Sequence, residues 1–341
     1  RVSRLRDDPA PLVALATAAW LCLSFTPATQ TMLLGQINFL VLLPLVLIPW
    51  LTRRGHERWV GVMVALAAML KFTPAILIVY LLLRRRWEAT ISGVVALAAL
   101  ALVTIAIVGP GTFLAMLPQA LHVGAGDAGL GHNQALFAPA LTALASTSVA
   151  GAAQLAVKVL LVVLALAFGH VLFHGAPYIF FGRDAGASGS SVGASGGRPE
   201  EQRNTSESAA YAVALCAMLL LSPTAWVHHY VWVLPAAAIA LGLAGASLID
   251  ALRAGRSGHS GRAIALLAIV ILACVALGYA LPNAWDTQPL PAVTTVAGLH
   301  LWPLALEMRP LATLVLAAIL AAWIAPAPRA AQEANERTTA I

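Results

Sequence analysis

Long apolar runs, separated by short polar or arginine-containing segments, are the feature that most constrains this chain. Runs of about 17–25 residues recur, which is the length that a helix needs to cross about 30 Å of hydrocarbon. A bilayer core holds no water to satisfy backbone groups, so helices are the expected spanning form. With 60% hydrophobic and 10% charged residues, the composition lies far outside the range of soluble domains. The sequence therefore predicts an all-α, polytopic membrane protein.

Apolar runs divided by helix breakers predict about ten membrane helices. They cover residues 12–29, 36–51, 59–70, 74–83, 89–108, 151–173, 209–221, 230–249, 263–282 and 309–325. We interpret 59–83 as a short hairpin, because one arginine cluster precedes it and another follows it. The alternative is a single span kinked at Pro74, which would leave one of the two clusters on the outer side.

The distribution of basic residues gives the orientation, because cytoplasmic loops are enriched in Lys and Arg. With the hairpin, the arginine-containing loops and both termini fall on the cytoplasmic side. Lys71, Lys158 and Arg309 are the basic residues left over. The basic net charge of +6 thus reflects topology, and nucleic-acid binding is not inferred from it. We expect a multi-pass protein of the cell membrane.

Residues 1–325 are expected to form a single helical membrane domain. Within it, 109–150 is predicted to be an outer loop with interfacial helices, because its apolar stretches are short. Residues 182–208 are rich in Gly, Ser and Ala and then in polar residues, which predicts a flexible cytoplasmic loop. Residues 326–341 are predicted to be a disordered cytoplasmic tail.

Four polar motifs interrupt the apolar pattern, and the orientation puts all of them at the outer side. If they were random intrusions, half would fall inside, so their agreement suggests a shared outer cavity. The motifs are Gly35-Gln36-Ile37-Asn38, Lys71-Phe72-Thr73-Pro74, Gly131-His132-Asn133-Gln134 and the stretch Ser222-Pro223-Thr224-Ala225-Trp226-Val227-His228-His229-Tyr230-Val231-Trp232.

Lys71 is the strongest single candidate for a functional residue in these motifs. A cation at membrane depth costs about 2.5–3.5 kcal/mol on insertion scales, so it usually has a partner. An ammonium at a helical turn suits a phosphate. The competing interpretation is a lysine that extends to the outer headgroups.

The two adjacent histidines, His228 and His229, open the eighth predicted helix. Neighbours in an α-helix point about 100° apart and do not easily ligate one metal, and no acidic or cysteine partner gives zinc-like spacing. We therefore predict no metal site. A neutral histidine can exchange a proton or hydrogen-bond a sugar or phosphate; interfacial anchoring is the alternative. Gln36 and Asn38 either line the site or hydrogen-bond neighbouring helices.

In this order, Gly35-Gln36-x-Asn38, Lys71-Phe72-Thr73-Pro74, Asn133-Gln134 and the Trp226-x-His228-His229 motif resemble glycosyltransferase family 87. These are polyprenol-phosphate-mannose-dependent α-1,2-mannosyltransferases. The resemblance covers about residues 10–325 and rests on the ordered set, because each motif alone is weak.

The resemblance implies a C-type glycosyltransferase fold and no cofactor. It also implies transfer of mannose from a polyprenyl-phosphate carrier, at the outer face, to a lipid or glycan acceptor. Lys71 would bind the donor phosphate, and His228 or His229 would assist. Gln36, Asn38, Asn133 and Trp226 would contact substrate.

The family's base is an aspartate in the first outer loop, whereas Asp7 and Asp8 fall on the cytoplasmic side here. We therefore expect the catalytic aspartate upstream of this sequence, and the chain alone to be inactive. The rival function is a transporter or flippase for a lipid-linked or anionic solute; a scaffold for envelope assembly is a third. Transporters often place polar groups at mid-membrane in paired repeats, and neither feature is evident here.

Overall fold

Helices account for nearly all of the secondary structure in the computed structural model. It describes residues 24–116, 135–136, 149–175, 199–222, 225–253, 257–279, 295–296, 299–300 and 308–324. The helices are α1 (Thr26–Leu33), α2 (Asn38–Arg53), α3 (Glu57–Leu70), α4 (Ile76–Leu83), α5 (Trp87–Val108), α6 (Ala150–His174), α7 (Pro199–Leu220), α8 (Leu234–Arg253), α9 (Ser257–Tyr279) and α10 (Met308–Ala321). Two 3-10 segments, Thr73–Ala75 and Val227–Val233, precede α4 and α8. Residues Thr295–Val296 (β1) pair antiparallel with Leu299–His300 (β2).

Every predicted run from 36–51 onward coincides with a helix, and 12–29 falls mostly outside the described residues. Within the described ranges, four helical segments are long and apolar enough to cross a membrane. They are Trp87–Val108, Gly151–His174, Val227–Arg253 and Ser260–Gly278. The predicted all-α polytopic membrane fold is thus confirmed, although the number of crossings is not fixed by these lengths.

The cytoplasmic loop predicted at residues 182–208 ends earlier than expected, because its last ten residues are helical. Helix α7 begins at Pro199, because one side of its polar first half packs against the protein. Ser206 and Ser208 are buried there, and Glu207 forms an ion pair with Arg84 at 2.5 Å. Polar composition alone did not reveal this buried face. The remainder of that loop and the tail 326–341 lie outside the described residues.

The hairpin predicted at residues 59–83 is present, and an ion pair joins its two ends. Glu57 begins α3, and Arg86 follows α4. The guanidinium donates from Nε and Nη2 to the two carboxylate oxygens at 2.9 and 2.8 Å, and from Nη2 to Thr52 Oγ1 at 3.0 Å. The start of α3 and the end of α4 therefore meet at the same end of the molecule. The kinked single span is excluded.

A proline in α2 creates the hydrogen bond that ties this helix to α7. Pro49 has no N–H, so the carbonyl of Leu45, four residues earlier, lacks its helical donor. Tyr211 of α7 donates its hydroxyl to that carbonyl at 2.7 Å. Both Tyr211 and Leu45 are buried, so the bond satisfies an acceptor that no water could reach.

Two glycines allow α3 and α5 to pack with their backbones nearly in contact. A Cβ added at Gly61 would lie 2.1 Å from the carbonyl oxygen of Ala89 and 2.6 Å from the backbone nitrogen of Gly93. Small residues at helix interfaces are the usual means of close packing in membranes. The contact fixes α3, and with it the turn that carries Lys71.

The core lies around α7 and the 3-10 segment before α8, whereas α5 and α6 expose their apolar side chains. Leu215 and Trp232 are completely buried. Ile107 of α5 and Leu166 of α6 are 78% and 69% exposed. In a protein of this class, such faces are in contact with lipid.

Candidate functional site

The 3-10 segment Val227–Val233 lies at the centre of the candidate site. Side chains three residues apart eclipse one another in a 3-10 helix. His229 and Trp232 are such a pair, and their rings stack with centroids 4.9 Å apart and planes inclined by 11°. The ring of His228 meets that of His229 edge-on at 4.6 Å. The expected α-helical start at the histidines is thus a tighter turn, which brings His229 over Trp232.

Hydrogen bonds from α1 and α2 hold this segment in place. Asn38 donates its side-chain amide to the carbonyl of His228 at 3.2 Å, and the Thr31 hydroxyl approaches the same carbonyl at 3.3 Å. In return, the indole N–H of Trp232 donates to the carbonyl of Asn38 at 3.2 Å. Asn38 is fully buried. Of its two expected roles, the structure shows hydrogen bonding between helices, and direct contact of Asn38 with substrate stays a prediction.

The amine of Lys71 lies close to side chains from two of the other polar motifs. Lys71 ends α3 with an extended backbone, at φ −147° and ψ 138°. Its Nζ lies 3.0 Å from Nε2 of His229 and 3.4 Å from Oε1 of Gln36. The same nitrogen is 5.6 Å from the ring centroid of Trp232, within the range of a cation–π contact. Residues that are far apart in the sequence therefore share one small volume.

A left-handed glycine between α1 and α2 places Gln36 beside Lys71. Gly35 has φ +59°, a conformation that glycine adopts without a Cβ penalty at helix ends. The backbone N–H groups of Gly35 and Gln36 return to the carbonyls of Met32 and Thr31 at 3.1 and 3.0 Å. The turn therefore closes α1 and leaves the Gln36 side chain at the exposed edge of the site.

Trp226 orients His229 through its backbone. Its N–H donates to Nδ1 of His229 at 3.3 Å. Its ring lies parallel to that of His228, with a 3° angle and a centroid distance of 6.5 Å. The role of this ring in binding substrate stays a prediction. Asn133, the other predicted substrate contact, lies outside the described residues.

Burial lowers the pKa of the Lys71 amine below its usual value. The physical cause is desolvation, which disfavours the charged form of a lysine. Within the described ranges, no carboxylate forms an ion pair with Lys71 to offset that effect. A bound anion would supply the missing partner.

Three contributors to the site were given no role by the sequence. Thr31 looked like an ordinary residue of an apolar stretch, and nothing in its spacing singled it out. Trp232 ends the last polar motif, but nothing in the sequence indicated its contact with His229 and Lys71. Arg309 did carry a signal, since it was left over from the positive-inside pattern. It is buried, its Nε donates to the carbonyl of Leu277 at 3.1 Å, and it interacts electrostatically with Tyr230 beside the histidines. Its hydrogen bond joins the start of α10 to the end of α9.

Acidic side chains in the described part of the chain gather at the opposite end of the molecule. Glu57, Glu88 and Glu207 each pair with an arginine in the first turn of α3 or in the segment between α4 and α5. Helix α3 spans about 21 Å at ~1.5 Å per residue, and it separates Glu57 from Lys71. Three further acids, Asp127, Asp286 and Glu307, lie outside the described residues.

The arrangement suits a ligand that carries an anionic group next to a polar group with hydroxyls. A lysine amine, an imidazole and a carboxamide converge beside an indole face. Over the described residues, no cluster of three or more His, Cys, Asp or Glu side chains could hold a metal ion. The charge available to a ligand at this site therefore comes from Lys71.

A groove of about 610 Å³ lies elsewhere, between α2, α7 and α8. Arg53, Glu201 and Asn204 line it together with apolar residues of α8 such as Ile239. Arg53 is at the arginine-rich end of α2, about 22 Å along that helix from Asn38 at ~1.5 Å per residue. The groove is therefore distinct from the site at Lys71.

Comparison with known proteins finds a matching family. The model of glycosyltransferase family 87 matches residues 1–195, which include the Gln36 and Lys71 motifs. No curated protein matches the chain, and no solved structure matches it.

Proposed function

The chain belongs to glycosyltransferase family 87 and is a membrane glycosyltransferase; from this premise we propose that it transfers mannose from a polyprenyl-phosphate carrier. The acceptor is an envelope lipid or glycan at the outer face of the cell membrane. One observation carries the proposal: Lys71, Gln36 and His229 converge from three distant segments on one volume. A lipid phosphate is the anion that this family's chemistry brings to such a cation.

Lys71 is proposed to bind the donor phosphate. Its amine is half-buried and has no carboxylate partner within the described residues. An anion would therefore find an unneutralised donor there. An ammonium placed where charge develops stabilises a leaving group most effectively in a site that excludes water. Gln36 and the Trp226 ring are proposed to contact the sugar from the edges of the site.

The transfer itself moves one bond. The acceptor oxygen attacks C1 of the mannosyl group from the side opposite to the phosphate, and the C1–O bond to phosphate breaks with inversion. Polyprenyl phosphate leaves with the bonding electron pair and so gains one negative charge. The acceptor hydroxyl transfers its proton to a base, proposed to be a carboxylate outside the described residues. Lys71 faces the phosphate on which the negative charge develops.

The test is transfer of labelled mannose from polyprenyl phosphate to lipid in membranes containing the full-length protein. We expect Lys71→Ala to lower kcat/KM by about 100-fold or more, the usual effect of removing a group that stabilises transition-state charge. The matched control is Lys158→Ala, because Lys158 is an exposed lysine of α6 away from the site. It should transfer at the wild-type rate.

Two results would contradict the proposal. Transfer by Lys71→Ala at the wild-type rate, at equal protein level, would remove the phosphate role. Absence of transfer by the wild-type protein, together with movement of the intact lipid-linked sugar between leaflets, would establish the flippase alternative.

A further inference from the structure

The hydrogen bonds around His229 determine where its proton lies. Its Nδ1 accepts the backbone N–H of Trp226 at 3.3 Å. A backbone N–H is always a donor, so Nδ1 must present a lone pair to it. A neutral imidazole carries one N–H, which is therefore on Nε2, and the doubly protonated ring is incompatible with this contact.

The proton on Nε2 determines the state of Lys71 in turn. The Lys71 Nζ lies 3.0 Å from Nε2, a hydrogen-bond distance that requires one donor and one acceptor. An ammonium has three donors and no lone pair, so it cannot accept the Nε2 proton. A neutral amine can, and it retains two N–H groups, one of which is directed at Gln36 Oε1, 3.4 Å away.

The neighbours of Lys71 provide nothing that would hold the extra proton in the empty site. Among the described residues, the titratable groups that interact with it are His228 and His229 of the 3-10 segment. The contact from the α1–α2 turn is the uncharged Gln36, and its own turn contributes Phe72 and Thr73. Burial lowers the pKa of the amine in the same direction.

We propose that Lys71 is a neutral amine in the empty site and takes up one proton together with the phosphate of the donor. This rests on the proposed function, in which Lys71 binds that phosphate. A phosphodiester carries one negative charge, so anion and proton enter as a neutral pair, and neither is buried as an isolated charge. His229 is then a positioning residue. Its Nε2–H donates a hydrogen bond to the amine, which holds the amine in place and favours its neutral form, because an ammonium cannot accept that bond.

The cycle balances in protons and charge. The proton comes from water on donor binding and remains on Lys71 during transfer, when the leaving polyprenyl phosphate gains its second negative charge. It is released when that product leaves. In the range between the pKa of Lys71 in the empty site and its higher pKa in the complex, donor affinity should fall about tenfold per unit rise in pH, since one proton binds with each ligand.

The test is calorimetric titration of the full-length protein, in bilayer discs of phosphatidylcholine, with a synthetic short-chain polyprenyl phosphomannose. This diester keeps one charge across the range from pH 6 to 9. Titrations at several pH values, in two buffers that differ in ionisation enthalpy, give the protons taken up per ligand. We expect a maximum near one for the wild type, with affinity falling as the pH rises.

Variants isolate the group that titrates. Lys71→Arg keeps a permanent cation and should bind the diester with no proton uptake and a flat pH profile. Lys158→Arg, altered at an exposed amine, should match the wild type. Discs containing phosphatidylglycerol test whether a lipid headgroup is the phosphate that binds at Lys71. If it is, Lys71 is already protonated before the donor binds, and donor binding should take up no proton in these discs.

Failures of the two proposals are distinguishable. Binding of the diester by the wild type in phosphatidylcholine with no proton uptake at any pH would overturn this inference and leave the donor site standing. Uptake that persists in Lys71→Arg would assign the proton to another group, such as His228, and overturn it equally. Absence of binding by the wild type would overturn the proposed function itself.

Discussion

At the scale of single residues, the polar side chains divide into those that line the site and those that hold it. Lys71 and Gln36 lie at its edge and are free to meet a ligand. Asn38 and Thr31 are fully buried. Asn38 donates to the carbonyl of His228, and the Thr31 hydroxyl, which donates to the carbonyl of Pro27 at 2.9 Å, also lies within 3.3 Å of the His228 carbonyl. Gln36 and Asn38 belong to one sequence motif, but they lie two residues apart at the start of α2 and therefore have different environments and different roles.

This division predicts different effects of two nearby substitutions, one on stability and one on donor binding. Asn38→Ala should lower the unfolding free energy by about 1–3 kcal/mol, because it leaves a buried carbonyl with one donor fewer. Gln36→Ala removes an exposed contact and should leave stability within about 0.5 kcal/mol, while KM for the donor rises. Thermal unfolding of the purified protein and donor-dependent kinetics separate the two. Equal destabilisation by both would contradict the assignment.

At the scale of elements, the position of Lys71 depends on the hairpin formed by α3 and α4. The ion pair between Glu57 and Arg86 joins its ends, and close packing against α5 fixes α3. The sequence predicted this hairpin from charge alone, since two arginine clusters had to lie on one side. It could not predict the register, which is set where Gly61 meets Gly93.

Gly61→Leu should destabilise the protein strongly, by about 3 kcal/mol or more, because its side chain has no room beside the backbone of α5. Even a Cβ at this position would lie 2.1 Å from the Ala89 carbonyl oxygen. The control is Gly151→Ala in α6, where a Cβ meets nothing within 4 Å; it should be neutral or slightly stabilising. Unfolding temperature in detergent measures both. A Gly61→Leu protein as stable as the wild type would show that α3 and α5 do not pack as described.

At the scale of the whole molecule, the ion pairs of the described residues and the site occupy opposite ends. The arginine clusters and their carboxylate partners lie at one end of α3 and α4, and Lys71 lies at the other. With the positive-inside rule, this polarity directs the site outward. The orientation is a proposal that the charge distribution supports.

Cysteine labelling in intact cells tests the orientation. In a cysteine-free background, Phe72→Cys, at a side chain 57% exposed beside Lys71, should react with a membrane-impermeant maleimide from outside. Arg58→Cys, at a side chain 81% exposed, should react only after the cells are opened. The reverse pattern would put the site on the cytoplasmic side and exclude an outer-leaflet donor.

The sequence by itself determined the class of fold, the hairpin and most of the motifs that form the site. Run length against bilayer thickness requires helices, and charge asymmetry orders their ends, because both effects depend on composition along the chain. Contact between the motifs was decided only by the tertiary structure. The 3-10 turn that stacks His229 on Trp232, the buried Thr31 and the acceptor role of His229 Nδ1 arise from packing between distant segments. Such pairings depend on the geometry of facing helices, which the apolar pattern of any one helix does not encode.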